Sequence, residues 1–148
     1  MIIADTGAIV ALIDAGDRHH EALRRLYEDD PDAWVLPWAI LPEVDYLLAT
    51  QVCAAAERAW LADLATGAFA IEWGREDDLA SAERLCRRHK SLRLGLVDAT
   101  VVAVAERTHA DAIATVDLRH FAAVRIRGSP RLLPRDADKQ ARTVGSRL

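Results

Sequence analysis

Met1-Ile2-Ile3-Ala4-Asp5-Thr6-Gly7 is the stretch that decides the fold: a short apolar run stops at a carboxylate, followed by a hydroxyl and a glycine. Ile2 and Ile3 are β-branched and predict a buried strand, while Thr6-Gly7 closes it and opens a helix over Ala8-Ile9-Val10-Ala11-Leu12-Ile13. Asp5 then stands at the carboxyl end of a strand. In an open α/β sheet ligands bind at that edge, in the crevice that the neighbouring helices leave unfilled.

Downstream the pattern alternates between helical and strand periods. His19, Ala22, Leu23, Leu26 and Tyr27 repeat at helical spacing within Arg18 to Tyr27, and Asp29-Asp30-Pro31 stops them. Ala33-Trp34-Val35-Leu36 predicts a second strand, ended by Pro37. Ile40, Leu41, Val44, Leu47 and Leu48 predict a third helix, with Pro42 tolerated in its first turn. Val52, Ala56, Ala59, Trp60 and Leu64 mark a fourth, closed by Gly67, and Phe69 to Trp73 a third strand. Leu79, Ala82, Leu85 and Cys86 mark a further helix, and Leu96 to Ala105 a buried one; Ala112-Ile113-Ala114-Thr115-Val116 predicts a buried strand and Val124 to Arg127 the last. Strands separated by helices rather than by tight turns imply a parallel α/β sheet. Trp34, Trp38, Trp60 and Trp73 are assigned to the core.

At 148 residues and 51% hydrophobic content, one domain over residues 1–134 can bury a sizeable core. From Arg135 the apolar content falls away, so residues 135–148 are expected to form a basic, disordered tail. No apolar run approaches the roughly 20 residues of a membrane span, and the N-terminus lacks the pattern of a signal peptide, so a cytoplasmic protein is expected. Cys53 and Cys86 have no paired Cys or His spacing and read as reduced thiols, not as a zinc site.

The formal net charge is −4, which argues against wholesale nucleic-acid binding, but the distribution is lopsided. Residues 1–118 hold 11 Lys/Arg against 21 Asp/Glu, whereas residues 119–148 hold 8 against 2. A second basic cluster, Arg84, Arg87, Arg88, Lys90 and Arg93, ends a predicted helix. There it either complements the helix dipole or binds phosphate.

Three further carboxylates draw attention. Asp98 opens the apolar helix of Leu96 to Ala105, Asp117 follows the strand that ends in Thr115-Val116, and Glu43 falls in the first turn of its helix. Each taken alone is explained as a cap, accepting orphan N–H bonds at the positive end of a helix dipole. Together with Asp5 the set behaves differently. Two stand at strand ends and two in helix starts, so in a parallel sheet all four can converge on one edge, where like charges need a counter-ion. Hard oxygen ligands suit Mg²⁺ or Mn²⁺, which can activate water and neutralise charge on a phosphoryl group.

Four segments carry a resemblance: Ile3-Ala4-Asp5-Thr6-Gly7, Pro42-Glu43, Leu96-Val97-Asp98-Ala99, and Ala114-Thr115-Val116-Asp117-Leu118-Arg119-His120-Phe121. In this order the chain resembles the PIN-domain ribonucleases, and among them the VapC-type toxins of bacterial toxin–antitoxin modules, over about residues 2–134. The last segment is the most specific. The resemblance implies a three-layer α/β/α domain around a central, mostly parallel five-stranded sheet. It implies Asp5, Glu43, Asp98 and Asp117 as the catalytic and metal-binding acids, with Thr6 and Thr115 as supporting hydroxyls. It further implies Mg²⁺- or Mn²⁺-dependent endoribonuclease activity, a cognate antitoxin and a homodimer.

Periodicity does not choose between Glu43 and Asp45, which flank the apolar helix face about equally; Glu43 is preferred because it matches the position the resemblance implies and lies nearer the helix start. Arg119 and His120 follow the fourth acid and read either as substrate-phosphate contacts or as helix surface. The helices at Ile40 to Leu48 and Val52 to Leu64 are expected to leave a groove for an amphipathic antitoxin segment. Two other readings compete. A Mg²⁺-dependent phosphatase with a strand-end Asp nucleophile needs a second Asp two residues on, where this chain has Gly7, and a non-catalytic RNA- or partner-binding protein does not need all four acids.

Overall fold

The computed structural model describes residues 1–139. Its centre is a five-stranded sheet, all parallel, in the order β3-β2-β1-β4-β5, formed by β1 (Ile2–Ala4), β2 (Trp34–Pro37), β3 (Ala70–Glu72), β4 (Ala112–Ala114) and β5 (Arg131–Leu133). The helices are α1 (Thr6–Ile13), α2 (His20–Asp29), α3 (Leu41–Leu47), α4 (Ala54–Thr66), α5 (Glu76–Arg88), α6 (Leu96–Arg107) and α7 (Leu118–Phe121). From β1 to β3 the chain steps one way across the sheet, and from β3 to β5 it steps back. Because parallel crossovers are right-handed, α1 to α4 lie on one face and α5 to α7 on the other, giving three layers.

Both faces are covered, so the central strands are apolar on both sides rather than alternating. Ile3, Ala4, Ile113 and Ala114 are all fully buried, as are the Val101 and Val104 side chains of α6, which packs across β1 and β2. Trp34 and Trp60 sit in the core, Trp34 edge-on to Tyr27 at 5.6 Å and Trp60 tilted against Phe69 at 5.8 Å, with Tyr27 and Phe69 themselves 5.9 Å apart. Gly67 ends α4 at φ +73°, where a side chain would be strained. On the α5 side, Arg107 reaches back from the end of α6 to Asp78 at 2.7 and 2.9 Å and to Glu72 at 2.9 Å, tying α6, α5 and β3 together.

Three expectations are corrected. The last strand is not Val124 to Arg127 but Arg131–Leu133, which pairs with β4 in the register Ala112↔Arg131, Ile113↔Leu132, Ala114↔Leu133. Val124 and Ile126 are apolar because they anchor a loop into the core, at 6% and 8% exposure, and a short alternating run cannot by itself tell an anchor from a strand. Trp73 is not in the core: it is 74% exposed. β3 stops at Glu72, whose carboxylate is drawn to Arg107 and to the Gly74 N–H, and the chain turns at Gly74 with φ +83° against the Trp38 indole, leaving Trp73 outside. Residues 135–139, expected in the tail, fold back onto β5. The buried Asp136 carboxylate accepts the Leu132 N–H at 2.9 Å and pairs with Arg135 and Lys139. The remainder of the expected tail, 140–148, lies outside the described residues.

Candidate metal centre

The direction of chain travel reverses between β1 and β4, which are neighbours in the sheet. A switch of this kind opens a crevice at the carboxyl ends of the two strands. Pairing runs Ile2↔Ala112, Ile3↔Ile113, Ala4↔Ala114, and the Asp5 N–H continues it by donating to the Ala114 carbonyl at 2.9 Å. Asp5 and Thr115 are thus set side by side by register alone. Gly7 lets the start of α1 close down on this edge: a Cβ there would meet Val116 Cγ2 at 2.8 Å, closer than real Cβ atoms approach.

Asp5 occupies the cap position of α1 but its carboxylate makes no cap hydrogen bond in the helix; it accepts from the Thr115 hydroxyl at 3.0 Å instead. The residue is 4% exposed. Burial is the main influence that pushes its carboxyl up to about 7, the charge of Asp98 adds to it, the Thr115 hydroxyl and the Thr6 backbone oppose it, and Asp117 adds the rest. Beside it the Thr6 hydroxyl is buried without a hydrogen-bond partner among the described residues.

Asp98 stands in the first turn of α6 with a half-buried side chain. Burial raises its carboxyl above the ordinary aspartate range; His120 opposes this, and Asp117 and Glu43 reinforce it. Asp117 is held twice. Its backbone N–H donates to Thr115 Oγ1 at 3.0 Å, and its Oδ1 accepts the His120 N–H at 3.2 Å as the cap of α7. Its other oxygen lies 2.8 Å from His120 Nδ1, and the same nitrogen is 3.4 Å from Asp98 Oδ2. Asp98, Asp117 and His120 each place a ligand-type atom within 4.8 Å of the others. Glu43 is exposed at the start of α3, with its charge felt at Asp98.

The six residues singled out from sequence therefore meet at one edge: Asp5, Asp98 and Asp117 with their supporting Thr115, Thr6 beside them, and Glu43 at the rim. Of the two acids that periodicity left open, Glu43 adds its charge to those that raise the Asp98 carboxyl. Asp45 instead has a buried carboxylate oxygen without a partner among the described residues. His120, read from sequence as a substrate-phosphate contact or as helix surface, instead contacts the acids Asp98 and Asp117.

This donor set fits a divalent cation. Hard carboxylate oxygens dominate, an unpaired hydroxyl lies beside them, and a buried carboxylate faces two others with hydroxyl and amide dipoles as its compensation. Fold and site together define a class: a parallel α/β/α domain with an acidic centre at its topological switch point. The comparisons narrow it. Residues 2–126 match the PIN domain family model. Ribonuclease VapC26 of Mycobacterium tuberculosis is 35% identical over 130 residues, covering 88% of this chain and 96% of that protein. Among solved structures, VapC20 of Mycobacterium tuberculosis, described as a Sarcin-Ricin loop cleaving toxin, matches with a TM-score of 0.69 at 26% identity, over 76% of this chain and 87% of its own. FitAcB of Neisseria gonorrhoeae shares the fold with a TM-score of 0.59 at 16% identity, over 89% of this chain and 96% of its own. The chain belongs to the PIN-domain family, among its VapC-type ribonucleases.

Proposed function

We propose that this protein is a divalent-metal-dependent endoribonuclease that acts as the toxin of a toxin–antitoxin pair, with Asp5, Asp98 and Asp117 as metal ligands and Glu43 as a fourth acid at the rim. The observation that carries this reading is Asp5: a buried carboxylate at a cap position that does not cap, held instead by the Thr115 hydroxyl and close enough to Asp98 and Asp117 for their charges to raise it. Mg²⁺ or Mn²⁺ is the ion this oxygen-rich set prefers. Bound there, it supplies an activated water and neutralises charge developing on a phosphoryl oxygen.

The chain's own residues hold the geometry. Thr115 fixes Asp5 through its hydroxyl and Asp117 through the same oxygen, so the two strand-end acids are locked to one another. His120 Nδ1 bridges Asp117 and Asp98 and restrains both carboxylates before an ion arrives. Glu43, exposed, orients the attacking water or completes the ligand set. Arg119, exposed on α7 next to His120, is placed to meet the RNA backbone.

A cognate antitoxin is the proposed partner, docking on the α3–α4 side, where Tyr46 and Leu61 are 65% and 49% exposed. A homodimer and a cytoplasmic location complete the proposal; no helix among the described residues is long and apolar enough to cross a membrane. RNA cleavage tests the reading. Wild-type protein with Mg²⁺ or Mn²⁺ cleaves RNA, chelator stops it, and Asp5→Ala, Asp98→Asn and Asp117→Asn each abolish it with the fold retained. Full activity in any two of these variants contradicts the site assignment.

A further inference from the structure

The two basic stretches of the sequence meet in space. Arg84 and Arg88 of α5 face Arg125 and Arg127 of the loop after α7 across a cleft of about 750 Å³. Leu85 and Ile126, both buried, form its apolar floor. One carboxylate lines it, Glu106, and this is already engaged: it accepts the Arg127 backbone N–H at 2.9 Å and its guanidinium at 3.3 Å. Among the described residues, Arg84, Arg88 and Arg125 have no carboxylate within ion-pair distance. Complementing a helix dipole accounts for Arg88 in the last turn of α5. It does not account for Arg125 and Arg127, which arrive from a different element at the same concavity.

The cleft is coupled to the acidic centre by a short path. The Val124 N–H donates to the His120 carbonyl at 3.3 Å, and His120 holds Asp117 and Asp98; Arg125 is the next residue along. Five residues span at most about 18 Å even when fully extended, and the turn of α7 shortens that reach. A strand lying on Arg125 is therefore within a few residues' length of the acids.

We propose that this cleft is a second anion site, which holds the phosphodiester backbone of the RNA away from the bond that is cut. The proposal rests on the ribonuclease reading above. Guanidinium groups match phosphate oxygens in planar, paired hydrogen bonds, and the apolar floor seats a ribose or base edge. A polyanion approaching an acidic centre on a protein of net charge −4 meets its own sign, so local positive charge is needed to bring it in.

The test is binding of single-stranded RNA to the full chain carrying Asp98→Asn, with and without Arg88→Gln plus Arg125→Gln, over a range of salt. For long RNA the double variant makes the plot of log affinity against log salt shallower by about 1.4, since each phosphate contact contributes about 0.7. Affinity at low salt falls about tenfold. A short RNA spanning only the scissile bond binds both proteins equally. In the background with Asp98 intact, KM for long RNA rises while kcat does not change, and Arg88→Lys plus Arg125→Lys keeps the wild-type salt slope, which separates charge from folding. Identical slopes in the Gln variant and its parent overturn the proposal. So does a variant that loses only a polyglutamate competitor, which assigns the cleft to an acidic protein partner. No cleavage of any RNA by the wild type is a separate result: it removes the ribonuclease reading and this proposal with it.

Discussion

Thr115 Oγ1 donates to Asp5 Oδ2 at 3.0 Å, across two neighbouring parallel strands and 110 residues of sequence. The same oxygen accepts the Asp117 N–H, so one hydroxyl sets the positions of two acids. Thr115→Val keeps the shape and removes both bonds. It should cost about 1–3 kcal/mol in urea denaturation, the penalty of leaving buried polar groups unsatisfied, whereas Thr115→Ser should recover most of it. Equal stability of the Val and Ser variants would mean that the hydroxyl is incidental.

The Asp5 carboxyl, pushed up to about 7 by burial and by Asp98, gives the metal-free protein a signed dependence on pH. The folded state holds a proton that the unfolded chain releases near its ordinary aspartate value. This contribution is fully present below about pH 4 and is lost as pH rises toward 7, at up to about 1.4 kcal/mol per pH unit. In chelator, stability should therefore fall between pH 5 and 7, and Asp5→Asn should flatten that part of the curve. A metal-free wild type and Asp5→Asn with parallel pH profiles would contradict the assignment of the shift to Asp5.

Arg107 is the neutralising group for Asp78, which is 3% exposed, and it also binds Glu72. Burial is the largest single influence and raises the Asp78 carboxyl, but the Arg107 hydrogen bonds, the Arg75 N–H and the charges of both arginines together hold the group below its ordinary value. Arg107→Met leaves that charge buried without its partner and should destabilise by about 3–5 kcal/mol. A joint Arg107→Met and Asp78→Leu variant should recover part of the loss. A single-variant cost below about 1 kcal/mol would mean that water replaces the guanidinium.

Gly7 makes a sharper test of the site than of the fold. Adding a Cβ there drives it into the Val116 side chain, which is β-branched and stiff, and displaces the segment that carries Thr115 and Asp117. Gly7→Ala should thus reduce RNA cleavage by tenfold or more, on the scale expected when a small shift misplaces reacting groups, while far-ultraviolet circular dichroism stays unchanged. Unaltered cleavage would show that Val116 moves aside freely.

Much of this arrangement was legible in the sequence, for physical reasons that differ by residue. β1 and β4 are buried on both faces, so Ile2-Ile3 and Ala112-Ile113-Ala114 read as unbroken apolar runs, and the acids that follow them mark the strand ends directly. Edge elements were less legible. β5 is three residues flanked by Pro130 and Pro134, and its apolar signal is no stronger than that of the Val124–Ile126 loop anchor. Trp73 has a core residue's composition, but Gly74 turns the chain before its ring can enter. Glu43 and Asp45 flank the apolar face of α3 about equally, so periodicity holds no local signature that separates them. His120 and the arginines of α5 each kept two readings in the sequence, because Asp98 and the Arg125 loop, which meet them in space, lie on other elements.

Calorimetric titration of Mn²⁺ into the wild type and into Asp98→Asn, each first stripped with chelator, tests the metal centre most directly. The wild type should bind saturably and its melting temperature should rise with metal, since a ligand at a hundredfold excess over Kd stabilises the folded state by about 2.7 kcal/mol. In Asp98→Asn both signals should disappear, and the metal-free variant should melt no lower than the metal-free wild type, because removing one like charge offsets a lost helix-start contact. Equal Mn²⁺ binding and equal metal-induced stabilisation in the two proteins would mean that Asp98 does not hold the metal.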